Sequence, residues 1–458
     1  MTAPPKPGCL RPGALHVCEV GGSAVQKKYV LQMLLATLSF AVIGALVALS
    51  VGAPDCSSHC LAKEPTAGTT RQSAPAAQVA RPDEGLLSLI HSVEGTMPQI
   101  PDRGAALFFL ARLYTRVGEV PKALALLKEC VALNQGFDPS AHRRLQPLKD
   151  NPEFQKLVGH VHRAYPPVHH ARVAFTVPDK DLFSEGLAVD AEKRVFYMGS
   201  MHRKKIVKIT ESGEVSDFVK EGAYDLMPVG GVHVDPADHS VWAATDPGEK
   251  NRSELVHFDA QGKLLERYTA PGAGVHDLND LVLRGTKEIY VTDTDANMVF
   301  RFDKESHNFA PVKFPRAIFY PNGITVSGDG NLLYVGDMLG VIAVDLRTGS
   351  TQDVVPDAHD TLCGIDGLYW YKGDLVGVQY GTAAFRVMRW RLAKDGRAVT
   401  SSEVLERGTD MVKNPTTGAI FEDNFYFMAN TGIQNLENDK IVDESKLEPV
   451  QIAVAALK

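Results

Sequence analysis

The sequence predicts an all-β six-bladed β-propeller, preceded by an N-terminal transmembrane helix and a small α-helical, tetratricopeptide-like hairpin region. Three observations predict it. Short apolar strands broken by turn residues recur about every 45 residues through the C-terminal part. One run of 25 residues near the N-terminus carries no charge. Between the two, apolar residues fall at helical spacing.

At 458 residues the chain exceeds one ordinary core. Its 44% hydrophobic and 22% charged content is that of a globular protein. A net charge of -7, with no long basic run beyond "HRKK" at 202–205, excludes a nucleic-acid binder as the first reading.

The elements follow in chain order. Residues 1–28 read as a cytoplasmic tail. "YVLQMLLATLSFAVIGALVALSVGA", 29–53, is long enough to span a bilayer, which needs roughly 20 apolar residues. Lys27 and Lys28 precede it and Asp55 follows, so the positive-inside rule puts the N-terminus in the cytoplasm and the rest outside. We read it as an uncleaved single-pass anchor; the rival is a signal peptide cut after Val-Gly-Ala, with Pro54 next in the chain. Six cysteines show no zinc spacing, and Cys56 and Cys60, once exported, could close a small disulfide loop or stay inert thiols. The stretch 54–86, rich in Ala, Pro, Ser and Thr, reads as a flexible tether.

Residues 87–168 read as a helical cap. Leu107, Leu110 and Leu113 share one face, and Ala123, Leu126 and Leu127 follow after a Gly-Glu-Val-Pro turn. This resembles one tetratricopeptide-type hairpin, and "NPEFQKLVGHVHRAY" supplies a further helix. A single hairpin cannot stack into a solenoid, so a cap packed on the next domain is favoured over a peptide groove, with a protein partner through the cap as the alternative.

From 171 to 458 the texture is all β. Strand starts at Glu185, Gly230, Asn279, Asn322, Asp366 and Thr417 lie 43 to 51 residues apart, which makes six units of blade length. "RVAFTV", 172–177, is placed to close the ring beside the last unit. Innermost strands of a propeller start at one face near the axis. Glu185, Asn279, Asn322 and Asp366 therefore converge there as two carboxylates and two amides. An all-oxygen set of charge -2 suits a hard divalent cation, Ca²⁺ first, with Zn²⁺ and Mn²⁺ as the other readings. Without a cation such a cluster is costly to bury.

The motifs "SEGLAVD", "LNDLVL", "YPNGITVS" and "GIDGLYW" carry a resemblance. The region 171–458 resembles the senescence marker protein/gluconolactonase/luciferin-regenerating-enzyme propellers and, more distantly, the serum paraoxonases. The resemblance implies that Glu185, Asn279, Asn322 and Asp366 hold a catalytic metal. Two departures stand out. Gluconolactonases often carry an Arg where this chain has Asp277, which tells against a sugar lactone. Paraoxonases use a histidine dyad, where this chain has Gly230 and, further on, Asp246; His233 reads as packing.

The chemistry expected is hydrolysis of a small-molecule lactone or ester, with the cation stabilising the developing oxyanion. Asp366 is the first candidate for proton acceptor, and His276 and Asp277, at the same rim, are secondary ones. No Gly-x-Ser-x-Gly, His-Glu-x-x-His, phosphate-loop or dinucleotide motif competes. The alternative from another class is a non-catalytic propeller holding a structural metal and acting as a binding scaffold.

Overall fold

The computed structural model describes residues 84–458 apart from Gly381, Ala383 and Asn438. The expected membrane span 29–53 lies outside the described residues; among them, no helix is long and apolar enough to cross a membrane. Among the described residues the first helix starts at Glu84, inside the stretch read as tether.

Four helices come first: α1 (Glu84–Thr96), α2 (Arg103–Arg116), α3 (Val120–Ala132) and α4 (Pro152–Ala164). Local chemistry starts them. Asp102 caps α2 by accepting from the Ala105 amide, and Asn151 caps α4 by accepting from Glu153 and Phe154. Pro121 and Pro152 fill first-turn positions, where no amide donor is needed. The helix α2 is buried on every side, not along one stripe. Phe108 and Ala111 pack with Leu127 and Phe154 of the other helices and with Cys363 of the propeller. Phe109 and Leu110 pack with Ile90 of α1 and with Phe319 and Leu339 of the propeller. Both faces of the hairpin are thus occupied, and it works as a roof instead of an open groove.

The propeller follows as six antiparallel sheets, each with a ladder of four strands running from the axis outward. Val168–His169 adds a fifth strand at the outer edge of the fifth sheet. Arg172–Val177 then crosses to the sixth sheet and pairs with Val450–Ala456, which neighbours Asn424–Met428. The first strand of the ring therefore closes the last blade, where "RVAFTV" was placed. Apolar side chains alternate along the strands and fill six seams between neighbouring blades, each with its own buried cluster.

Around the axis the inner strands approach very closely. A Cβ at residue 186 would lie 2.1 Å from the Gly230 carbonyl oxygen, and one at residue 323 would lie 2.5 Å from that of Asp366. Only glycine fits such contacts. In blades two, three and five the inner strand also carries a bulge at this point, between Val229 and Val232, Leu278 and Leu281, and Ile365 and Leu368. A bulge opposes two residues to one and re-aims the extra side chain.

Gly186→Ala should therefore destabilise the fold by about 1–3 kcal/mol or more, because overpacked backbone cannot yield cheaply. Gly95→Ala, where a Cβ meets nothing within 4 Å, should leave stability unchanged or raise it by up to about 1 kcal/mol. Denaturant midpoints of the two variants check the pair; equal midpoints would mean the axis is not tightly packed.

Candidate functional site

The close approach at the axis fixes where the preceding side chains point. Glu185, Asn322 and Asp366 line one cavity of about 430 Å³. Glu185 also lines an adjoining cavity of about 610 Å³ together with Asp246, Asp277 and Asn279. Three of the four expected ring residues share the first space, and Asn279 meets Glu185 across the second. The blade-two position is Gly230, and the blade-six residue Thr417 turns its hydroxyl to the Glu185 carbonyl at 2.7 Å.

Asn322 Nδ2 donates to Asp366 Oδ1 at 2.8 Å. Its Oδ1 is buried and has no hydrogen-bond partner. Burial pushes the Asp366 carboxyl up to about 7, against the opposing pull of the Asn322 bond. Glu185 is driven well above the usual carboxylate range by burial first, then by the charges of Asp366, Asp277 and Asp246. Two acids and an orphaned amide oxygen thus face one space that holds too much negative charge for its dielectric.

Asp277 is also raised well above its ordinary value, by burial and then by Asp246, Asp295 and Asp293. Asp246, where a histidine was sought, is raised by burial and accepts from the Gly248 amide at 2.8 Å. His276 does not line either of these two cavities. Asp293 Oδ2 holds its Nδ1 at 2.6 Å, and the imidazole lines a separate cleft with Val275, Met298 and Phe309. His233 lines a lower part of the channel, with its Nδ1 at 3.1 Å from the Val234 carbonyl oxygen. Among the described residues no three His, Cys, Asp or Glu side chains cluster closely enough to hold a metal by themselves.

The sequence reading expected a helical cap on the propeller but not the polar residues that it brings to the cavity. Arg112, His142, Arg143 and Arg144 of the helical region line the same 430 Å³ cavity from above. An inserted segment of blade six, with a small hairpin of Leu436–Glu437 and Lys440–Ile441, adds Ile433, Gln434 and Glu437. The roof is fastened by buried polar bonds. Asp102 Oδ2 accepts from Thr361 Oγ1 at 2.6 Å and from the Leu362 amide at 2.8 Å. Gln135 Nε2 donates to the Asp360 carbonyl oxygen at 2.8 Å. The Asp360 carboxylate in turn accepts from Arg386 at 2.7 Å and from Trp390 Nε1 at 2.8 Å. At the mouth, Arg143 pairs with Glu437 at 2.9 Å.

No family model matches the chain, and no curated protein matches it. Solved structures similar to it include proteins of the kind its motifs resemble. One is a gluconolactonase from Xanthomonas campestris, 17% identical, over 64% of this chain and 95% of that one, with a TM-score of 0.45. Another is the calcium-binding protein regucalcin from Agrobacterium tumefaciens, at 18%, over 62% and 95%, with a TM-score of 0.44. A third is a luciferin-regenerating enzyme, at 14%, over 63% and 95%, with a TM-score of 0.43. At these identities and scores the likenesses carry no argument about the site; the propeller rests on its own sheet topology.

The roof joint gives a pH test. Burial raises Asp102 from 3.8 to about 6, outweighing its hydrogen bonds. The folded protein then keeps a proton that the unfolded chain releases, so the stability Asp102 contributes is full below pH 4 and is lost as pH rises through 6. Asp102→Asn does not titrate. Its stability relative to the unmutated protein should rise by roughly 3 kcal/mol between pH 4 and pH 7. Urea melts at the two pH values measure this; a flat difference would show Asp102 ionised in the folded state throughout.

Proposed function

We propose that this protein is a membrane-anchored hydrolase of lactones or related esters that depends on a divalent metal, Ca²⁺ first. The observation that carries the reading is the orphaned, buried Asn322 Oδ1 beside the paired carboxyls of Glu185 and Asp366. A donor set of this kind, all oxygen and short of positive charge, fits a hard cation. Glu185, Asn279, Asn322 and Asp366 would hold it. When bound, the cation supplies Lewis-acid polarisation of a carbonyl and stabilises the negative charge that develops on its oxygen.

The residues do the rest. Asp366 takes the proton of the water that adds to the carbonyl carbon and returns it to the leaving alkoxide as the acyl C–O bond breaks. Its carboxylate lies in the same cavity as Glu185 and Asn322, within reach of a water held there. Asp277, in the adjoining cavity, is the second candidate for proton transfer. The helical roof narrows access, so that attack is confined to a site partly shielded from bulk water. The segment 29–53 anchors the chain with the propeller outside the cytoplasm; protease added to intact cells should digest the propeller, and full protection would refute that orientation.

The chelator-stripped full chain should lose activity on a panel of lactones and aryl esters and regain it with added Ca²⁺, Zn²⁺ or Mn²⁺. At saturating metal, Asp366→Asn should lose about 10²–10⁴ in turnover, the usual contribution of a positioned base. Asn322→Ala should recover most of its loss as metal is raised. No hydrolysis of any panel member with any of these metals would leave a non-catalytic propeller with a structural cation.

A further inference from the structure

Among the described residues three arginines are buried to nine-tenths or more: Arg112 at 6%, Arg316 at 9% and Arg386 at 3% exposure. Two of them are fully matched. Arg316 is clasped by Asp337 and Asp353, each at 2.7 Å. Arg386 bonds Asp360 at 2.7 Å and Gln379 at 2.5 Å. Arg112 has no such partner. Its Nη1 lies 3.7 Å from Met338 Sδ, its guanidinium lies 5.3 Å from the centre of the Phe109 ring, and its Nε has no hydrogen-bond partner at all. Among the described residues no carboxylate pairs with it. A guanidinium withdrawn from water and left without an anion is unfavourable. The residue is also out of keeping with its surroundings: it interrupts "ALFFLARLY" on a helix otherwise buried by apolar contacts.

The surroundings of Arg112 are mixed in charge. Arg112 faces the cavity that contains Glu185, Asn322 and Asp366, and Arg143 and Arg144 stand on the same wall. Arg143 is satisfied by Glu437; Arg144 has no ion pair among the described residues. His142, among these three cations, is pushed down to about 2 by burial and by their charges, so it adds no charge of its own. The cavity thus has an acidic floor and a basic roof. A divalent cation on the floor would cancel the charge of Glu185 and Asp366 and leave the roof in excess.

We propose that Arg112, assisted by Arg144, binds an oxyanion of the substrate, a carboxylate or a phosphate ester, while the scissile carbonyl lies at the ring below. The identity of the molecule that carries the anion rests on the hydrolase reading; the anion site does not. A guanidinium fork matches either oxyanion with two parallel bonds. The substrate class is accordingly an anionic lactone or ester, not a neutral sugar lactone.

The test uses the full chain, stripped of metal and dialysed, at constant ionic strength in chloride. Inorganic phosphate and glutarate are titrated by calorimetry, and the melting temperature is followed in parallel. At least one of the two should bind at a single site and raise the melting temperature, and which one binds tells phosphate from carboxylate. Arg112→Met should weaken that binding about ten- to hundredfold, the worth of a charge-assisted bond. Arg112→Lys, which keeps the charge and loses the fork, should fall between. Arg144→Gln, an exposed position, should weaken it less and serves if Arg112→Met fails to fold.

The kinetic arm compares two γ-lactones that differ only in a side-chain carboxylate or its methyl ester. The ratio of their KM values should favour the carboxylate by about tenfold in the unmutated protein and collapse toward one in Arg112→Met. Binding of both probes unchanged by Arg112→Met, no binding of either, or an unmoved KM ratio would overturn the anion site. If Arg112 only offset the floor charge, the variant would alter metal affinity and leave anion binding intact, which also overturns it. Arg112-dependent anion binding without hydrolysis of any lactone would sink the hydrolase reading and leave the anion site standing.

Discussion

The molecule depends on how closely six inner strands can approach one axis. At Gly186 and Gly323 the neighbouring backbone comes so near that no side-chain carbon fits. With one residue pressed against the adjacent strand, the residue before it has one direction left, into the channel. Glu185, Asn322 and Asp366 acquire their common cavity this way. The bulges in blades two, three and five serve the same end, shifting register just where a side chain must turn inward. Packing at the axis and chemistry at the axis are a single constraint.

The roof adds a second layer of order. Asp102 both caps a helix and binds the loop that leads into blade five, so the start of α2 and the position of Asp366 are tied through a few buried bonds. The apolar contacts of Phe109 with Phe319 and of Phe108 with Phe137 sit on either side of that joint. Because α2 is buried throughout, its one charged residue that reaches the cavity is held in place as firmly as the core around it. The result is a cavity with charges of opposite sign on its two walls, each fixed by elements that have little freedom to move apart.

Much of this was legible in the sequence, and the reasons differ by residue. The ring was readable because it repeats: Asn322 alone is a turn residue, but Glu185, Asn279, Asn322 and Asp366 in register point to an axis. The closure by residues 172–177 was readable from the same count of blades. The bond from His276 to Asp293 was not legible, because proximity in sequence to Asn279 says nothing about a carboxylate seventeen positions after the histidine. The stripe of Leu107, Leu110 and Leu113 gave the helix but hid that its other faces are covered too. A cap packed on the propeller was expected, but the polar residues it brings to the cavity were out of reach, since Arg112 meets Met338 and Arg143 meets Glu437 only through long-range folding. The lone signal was the charge within "ALFFLARLY".

The ring is closed by pairing its first strand, Arg172–Val177, with its last, Val450–Ala456. On the ribosome this imposes an order. The helices emerge early, yet the surfaces they dock on, around Phe319, Leu339 and residues 360–363, are made much later. Until then one apolar side of α2 has no partner. The sixth blade stays an open-edged sheet until Val450–Ala456 has left the exit tunnel. Contacts so distant along the chain make folding slow and leave intermediates that associate readily. A nascent chain cut short anywhere before Val450 would lack the strand that joins the two ends of the ring, and quality control would have an exposed edge by which to recognise it.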